Sequence, residues 1–321
     1  RFGGEFHTAE AENEVFGQTF KSPHDYAAGF AEADIFISHK LAGRIGGRYE
    51  YSSLIGNQNF APRTSLAYKT GKKSQVSLAY GHFYQTPQAE RNQFFGPFYQ
   101  FIDDLDFEKA THYIANFQHL GDEITFRVEG YYKEYDNLIK YHFDGTTTVD
   151  NAGDGYARGF DIFWRDRKTL KNSDYWISYS FLDTKRKYRE FPVAATPVFA
   201  AKHNLNLVYK RWFDKLKTSF SATYTFSSGR PYYNPNSEFL SDRAPAYHDL
   251  SISASYLTNL WGNFTVIFFG FNNILGIENI YGYRYSSDGM RSEPIRPPAD
   301  RSAIIGVFIS ITDNNQEEEN Q

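Results

Sequence analysis

From Ile124 the residues Ile124, Phe126, Val128, Gly130 and Tyr132 alternate with Thr125, Arg127, Glu129, Tyr131 and Lys133. A period of two puts one apolar and one charged face on an extended strand, whereas a helix would scatter the same residues around its axis. Gly121 and Asp122 stand just before this run. They predict a tight turn joining 112–120 to 123–136 as a hairpin. At its other end the hairpin opens into a polar connection, 137–151, before a strand resumes at Gly155.

The same alternation recurs along the whole chain and predicts about fourteen strands. Examples are Ala31, Ala33, Ile35 and Ile37; Ile45, Gly47, Tyr49 and Tyr51; and Val76, Leu78 and Tyr80. Further on come Tyr175 to Phe181, Leu205 to Tyr209, Phe220 to Phe226, Leu250 to Tyr256, Phe264 to Asn272 and Ser302 to Thr312. In each the second face is polar or small, and helical spacing competes nowhere. The fold class is therefore all-β.

The connections narrow the class. Those after Ser38, Lys69, Leu120, Arg165, Lys210 and Leu257 are short, about three to eight residues, and carry turn formers or charges. Those between them, 10–25, 86–107, 137–152, 185–200, 229–245 and 273–300, are read as long loops. Short turns alternating with long loops are expected of an outer-membrane barrel with periplasmic turns and extracellular loops. A sandwich or propeller has no reason to collect its long loops at one end. No apolar run approaches the roughly 18 residues of a membrane helix, which a barrel does not need, because only alternate residues of its strands meet lipid.

Composition supports this reading and removes other classes. There are 25 Tyr and 30 Phe residues, and Tyr49, Tyr51, Tyr80, Tyr84, Tyr132, Trp164, Tyr175, Tyr209, Tyr224 and Phe226 fall near the ends of apolar faces, where amphipathic rings sit at headgroup level. Without cysteine there is no disulfide, thiolate metal site or thiol nucleophile. A net charge of -4 favours no nucleic-acid partner. No nucleophile elbow, phosphate-binding glycine loop or HExxH pattern occurs, so no enzyme and no cofactor is expected. His82 and His142 are the bases to check. The scattered histidines show no ligand spacing for a metal. The chain begins at Arg1 without Met or signal peptide and is read as a processed or truncated piece.

The order of AEADIFISHKLAGRIGGRYEYSS, NFAPRTSLAYKTGKKSQVSLAYGHFYQTPQAE, HYIANFQ, GYYKEYDNLI, YARGFDIFW, YSFLDTK, FSSGRPYY, GFNNILGIENIYGY and PADRSAIIGVF resembles the carboxyl-terminal barrel of a TonB-dependent outer-membrane receptor. The resemblance runs from Gly3 to about Thr312. It implies a transmembrane antiparallel barrel of about 22 strands with a plugged lumen, of which residues 1–312 supply roughly the last fourteen strands. The plug, the TonB box and the first strands are then expected to lie outside this sequence. Residues 313–321, an acidic polar stretch after the last strand, are expected to be a disordered tail, and the usual terminal aromatic is missing.

The resemblance further implies two inward carboxylates, one in each of the segments HYIAN and ARGFD, that pair with arginines of the plug. The second falls on Asp161, and the first falls on Ile114, which cannot ion-pair. A plug arginine left without its partner is costly, so the plug is expected either to differ there or to use Asp161 with Glu129. Asp161 read simply as a wetted lumen residue is the plainer alternative.

Ligand capture is assigned to the long loops: Phe94, Phe95, Phe98 and Tyr99 in one, Arg230, Tyr232 and Tyr233 in another, and Tyr281, Tyr283, Arg284 and Arg291 in the last. Rings with guanidinium groups suit a flat or anionic ligand such as an iron chelate, through stacking and charge-assisted hydrogen bonds. Packing of these rings on one another to close the barrel mouth is the competing reading. The expected function is energy-coupled import of a scarce nutrient across the outer membrane of a Gram-negative-type bacterium, an iron siderophore or other chelated metal first. The expected partners are a TonB-type complex acting through the plug, the lipid bilayer with its lipopolysaccharide, and the ligand itself. A passive porin-like channel and a surface glycan-binding barrel are the alternatives.

Overall fold

The computed structural model describes residues 1–15, 17–87, 105–143 and 147–311. Its strands are β1 Phe2–Val15, β2 Gln18–Phe36, β3 Leu41–Ser52, β4 Asn57–Lys69, β5 Ser74–Gln85, β6 Glu108–Leu120, β7 Ile124–Phe143, β8 Thr147–Asp166, β9 Ser173–Lys187, β10 His203–Phe213, β11 Thr218–Ser227, β12 Tyr247–Leu260, β13 Asn263–Asn272, β14 Gly282–Tyr285, β15 Ser292–Ile295 and β16 Ser302–Ser310. All but β14 and β15 form one 14-stranded sheet in which every strand pairs with its neighbours in sequence. Among the described strands β1 and β16 are the edges and do not pair with each other, so the sheet is an open arc of a barrel wall.

The register converts the alternation of each strand into continuous rows across the wall. Ser77, Asn116, Glu129, Asp161, Ser180, Asn204 and Ser227 stand opposite one another from β5 to β11. One residue away the facing row is Val76, Phe117, Val128, Ile162, Tyr179, Leu205 and Phe226. Successive side chains point to opposite faces, so one face of the sheet is polar and the other apolar.

The apolar face is bare: Leu78 is 55% exposed and Ile305 74%. A sandwich would have packed these residues in a dry core. Instead the buried apolar side chains gather at the long-loop end, in one cluster of Ile55, Leu105, Phe107, Ile139 and Val149 and another of Phe191, Ala195 and Leu240. A wall with its apolar side uncovered, and with the buried clusters of the described residues gathered at the long-loop end, is what a lipid-embedded barrel requires. Among the described residues no helix is long and apolar enough to cross a membrane.

Two expected loops are strands instead. The connections read at 10–25 and 137–152 are continuations of β1 with β2 and of β7 with β8, which pair out to Val15 with Gln18 and to Phe143 with Thr147. β7 and β8 are 20 residues each, against the roughly 9 to 11 that cross a bilayer. Beyond the bilayer both faces meet water, so nothing selects for alternation, while the backbone ladder continues regardless of side chain. The β7–β8 extension bends at register shifts between Tyr135 and Lys140, with Asn137 left-handed at φ 56. Opposite the bend, a Cβ on Gly153 would lie 2.5 Å from the Leu138 carbonyl oxygen, so the close approach needs glycine there.

The short-turn end is tied into a rim. Lys73 pairs with the Asp122 carboxylate and the Arg167 guanidinium donates to the Asp122 carbonyl. Farther along, Asn172 donates to Asp214 at 2.8 Å. In the turn after β8, Asp166 is 1% exposed and accepts from the Thr169 hydroxyl at 2.6 Å and from the backbone N–H groups of Thr169 and Lys168 at 2.9 and 2.7 Å. Those donors hold its carboxyl down to about 2.

Candidate functional site

Among the cavities that open on the polar face at the long-loop end, two are lined by loop and loop-proximal residues. The first lies between the 228–246 and 273–301 segments and has a volume of about 290 Å³; Arg230, Tyr247, Tyr281, Asn204 and Ser227 are among its lining residues. The 228–246 segment folds back on itself through an isolated bridge of Pro231 with Arg243, and Ala244 N–H donates to the Arg230 carbonyl at 2.9 Å. Gly229 has no room for a side chain, because a Cβ there would collide with the Ala244 carbonyl oxygen. The 273–301 segment carries the β14–β15 hairpin and is pinned by Asn279, which accepts from His248 N–H at 3.0 Å and donates to the His248 carbonyl at 2.8 Å. Asn236 bridges the two segments by donating to the Gly289 carbonyl at 2.8 Å.

The sequence-predicted residues of these segments divide. Arg230 and Tyr281 share the cavity. Tyr281 stacks on Tyr247, with ring centroids 6.2 Å apart and planes 19° apart. Tyr232 packs against Tyr283 at 5.0 Å, and Tyr233 against Phe239 at 6.1 Å, so each of these rings has a ring neighbour. Arg284 lies opposite Glu293 on the β14–β15 hairpin, and both Arg284 and Arg291 are exposed to solvent. Phe94, Phe95, Phe98 and Tyr99 lie outside the described residues.

The second cavity, about 340 Å³, is formed where the ends of β5 and β9, the start of β6 and the bend of β7 converge. Its centre is Arg186. The guanidinium carbon sits 4.3 Å from the centroid of Tyr135 and 5.6 Å from those of Tyr188 and Phe199, while its buried Nε has no hydrogen-bond partner among the described residues. Lys109, Arg189, Glu108 and Tyr84 are among its other lining residues. Burial pushes the phenols of Tyr188 and Tyr232 up, so each stays a neutral hydrogen-bond donor. A cation held between ring faces and facing open space is built to receive an anion presented on a flat group. Sequence reasoning missed this site because its parts come from distant strands; the cluster TKRKYRE at 184–190 was the visible signal, read only as the start of a loop.

Deeper on the polar face, Glu129 and Asp161 are direct neighbours across β7 and β8. Asn116 donates to Glu129 at 3.5 Å, and neither carboxylate has an ion pair among the described residues. Ile114 lines a hollow of about 200 Å³ with Arg63, His112, Glu32 and Arg44. There Arg63 lies 4.6 Å over Phe83, and Phe83 packs on His112 at 4.4 Å. Thus the wall is cationic beside the apolar Ile114 and anionic at Asp161. Arg48 is a hub for Glu5, Glu50 and Tyr26.

The two candidate bases have other partners. His82 bonds the Tyr80 hydroxyl at 2.8 Å on the apolar face, and His142 bonds Asp150 at 2.9 Å. Among the described residues no group of three or more His, Asp or Glu side chains could hold a metal ion.

The family model described as "TonB dependent receptor-like, beta-barrel" matches residues 2–274. Comparison with curated proteins returns no match. Among solved structures, the ferric-catecholate import receptor Fiu from K12 E. coli superposes with a TM-score of 0.70 at 12% identity, covering 95% of this chain and 50% of that one. The ferric citrate transporter FecA in its unliganded form gives 0.70 at 15% identity, over 91% and 46%. The copper transporter OprC gives 0.69 at 12%, over 96% and 53%. At such identities the likeness is one of fold, and the chain spans about half the length of each of these structures.

Proposed function

Because the chain belongs to the TonB-dependent receptor-like β-barrel family and so resides in the outer membrane, we propose that it forms barrel wall and ligand mouth of a receptor that imports a scarce nutrient as an anionic chelate, an iron siderophore first. In this reading a periplasmic TonB-type complex supplies the energy by acting on a plug inside the barrel. No covalent chemistry is needed. Ligand is held by rings and cations at the mouth and released when the plug moves.

The observation that carries the reading is Arg186, clasped by Tyr135, Tyr188 and Phe199 and opening into the second cavity. Fiu and FecA are named for ferric catecholate and ferric citrate, both negatively charged chelates. A chelate with carboxylate or catecholate edges meets a guanidinium fork and ring faces at once. A plug contact of mixed sign fits this face, with Arg63 beside Ile114 and the pair Glu129 and Asp161 on the two strands that follow.

The test is binding of ferric catecholate, ferric citrate and copper chelates to the full-length protein, followed by quenching of tryptophan fluorescence. One ferric chelate is expected to bind, and Arg186→Ala to weaken it by about tenfold to a hundredfold, the range of a lost hydrogen bond to a charged group. No binding of any chelate, together with uptake of small sugars in liposome swelling, would replace this reading with a passive channel. Binding of oligosaccharides alone would replace it with glycan capture.

A further inference from the structure

The bilayer-facing side of the wall is not uniformly covered. At the short-turn end of β10 to β13 the register sets Arg211, Phe220, Ala254 and Phe269 in one row and Tyr209, Ala222, Ile252 and Phe271 in the next. Ala222 and Ala254 therefore stand diagonally adjacent, and with no side chain beyond a methyl they leave a trough between rings. Its volume is about 580 Å³, and Phe213, Phe220, Ile252 and Phe269 are among its walls. Phe213 and Phe220 meet edge to face at 5.5 Å and 89°, which fixes the end wall.

Arg211 also lines this trough. Its guanidinium lies 5.1 Å from the Phe213 ring, and among the described residues no carboxylate pairs with it. A cation on the lipid side of a strand is costly unless it reaches water or an anionic headgroup. Arg211 stands two residues before the end of β10, at headgroup depth on the periplasmic side. The turn that follows, Asp214–Leu216 with Lys217, adds Lys215 and Lys217, while its one carboxylate, Asp214, is engaged by Asn172. Arg211 in the trough and the two lysines of the following turn therefore bring three cations to this end of β10.

We propose that this trough is a binding site for one anionic glycerophospholipid of the periplasmic leaflet, its acyl chain along Ala222 and Ala254 and its phosphate on Arg211. The match is of chemistry and charge together: the trough is apolar, and Arg211 at its edge lies at the level where phosphates lie. A second copy of the chain would bring its own Arg211 and lysines against these, a like-charge encounter that disfavours a symmetric contact. The inference goes beyond import and does not depend on which ligand the mouth takes.

The test uses protein extracted from outer membranes, delipidated in detergent, and titrated with phosphatidylglycerol and phosphatidylcholine of identical chains, with adducts counted by native mass spectrometry. One phosphatidylglycerol is expected to bind at about tenfold lower concentration than phosphatidylcholine, the scale of one charge-assisted contact. Arg211→Gln is expected to abolish that difference, and Ala254→Trp to remove the tight adduct while leaving the cations in place. Heat-modifiable migration on gels verifies that both variants are folded. Equal binding of the two lipids by the native protein would overturn the proposal. So would a preference that survives both variants, or one lost equally in Lys72→Gln at a distant turn, since that would be general attraction to the rim. A dimer that displaces the lipid would assign the trough to a second copy instead.

Discussion

Arg186, half-buried, and Asp166, buried, show how differently a charge can be used. Around Arg186 the partners are ring faces, which hold the guanidinium in place without neutralising it. The fork geometry is what a ligand carboxylate or catecholate would read, and a lysine carries a point charge in its stead. Arg186→Lys is therefore expected to recover only part of the binding lost in Arg186→Ala, as measured in the same fluorescence titration. Around Asp166 the strongest donors are local, from Thr169 and Lys168, with the Tyr175 hydroxyl on the neighbouring strand adding to them, so its main task is to fix a turn. Its carboxyl is held down to about 2 from an ordinary 3.8. A depressed folded-state value means that the stabilisation is fully present above pH 3.8 and fades as pH falls toward about 2. Asp166→Ala is expected to lower the urea midpoint of the refolded protein at neutral pH, with the gap from native closing as pH drops through that window. A gap that is constant with pH would show that the carboxylate is not the source.

At the level of elements, the mouth depends on one lysine. Lys140 lies in the β7 extension beyond the bilayer, 8% exposed, and its ammonium donates to the Phe191 carbonyl. Backbone bonds Tyr141 N–H to the Arg189 carbonyl at 3.0 Å and Arg189 N–H to the Ile139 carbonyl at 2.5 Å close the same junction. This strap carries Tyr188 and Arg189 to the second cavity. Lys140→Met is expected to loosen it, seen as faster trypsin cleavage at Lys187 and Arg189 with the transmembrane strands still protected. Unchanged cleavage would mean that the backbone bonds alone hold the strap. The extended hairpins matter here: had 137–152 been the loop its polarity suggests, there would be no rigid strand for the strap to grip.

For the whole molecule the defining property is an uncovered apolar face on one side and a polar face on the other. Leu78 and Ser77 are consecutive on β5 and sit on opposite sides of it. Leu78→Arg is expected to cost about 2 to 4 kcal/mol, as a charge placed toward the middle of the bilayer, whereas Ser77→Arg on the watered side should change stability little. Equilibrium refolding into lipid vesicles measures both. Equal effects would mean that the two faces do not see different solvents. The shape of the wall also explains why the described residues contain no central core: lipid outside and water or a plug inside take its place, and packing is confined to the mouth.

The alternation in sequence determined all fourteen strands of the wall, their order and which residues share a face, because in a membrane wall the two solvents imprint a period of two on every strand. The loop segments named Arg230 and Tyr281 as candidates, and the structure sets both on one cavity. What only the tertiary structure decided lies where that imprint is missing. Beyond the bilayer both faces are wet, so the paired extensions at 10–25 and 137–152 resemble loops until their backbone bonds are seen. The Arg186 cavity and the Arg211 trough exist only through register. Tyr135 and Arg186, or Ala222 and Ala254, become neighbours because strands align, Phe199 joins from the connection before β10, and the distance between them along the chain carries no trace of it.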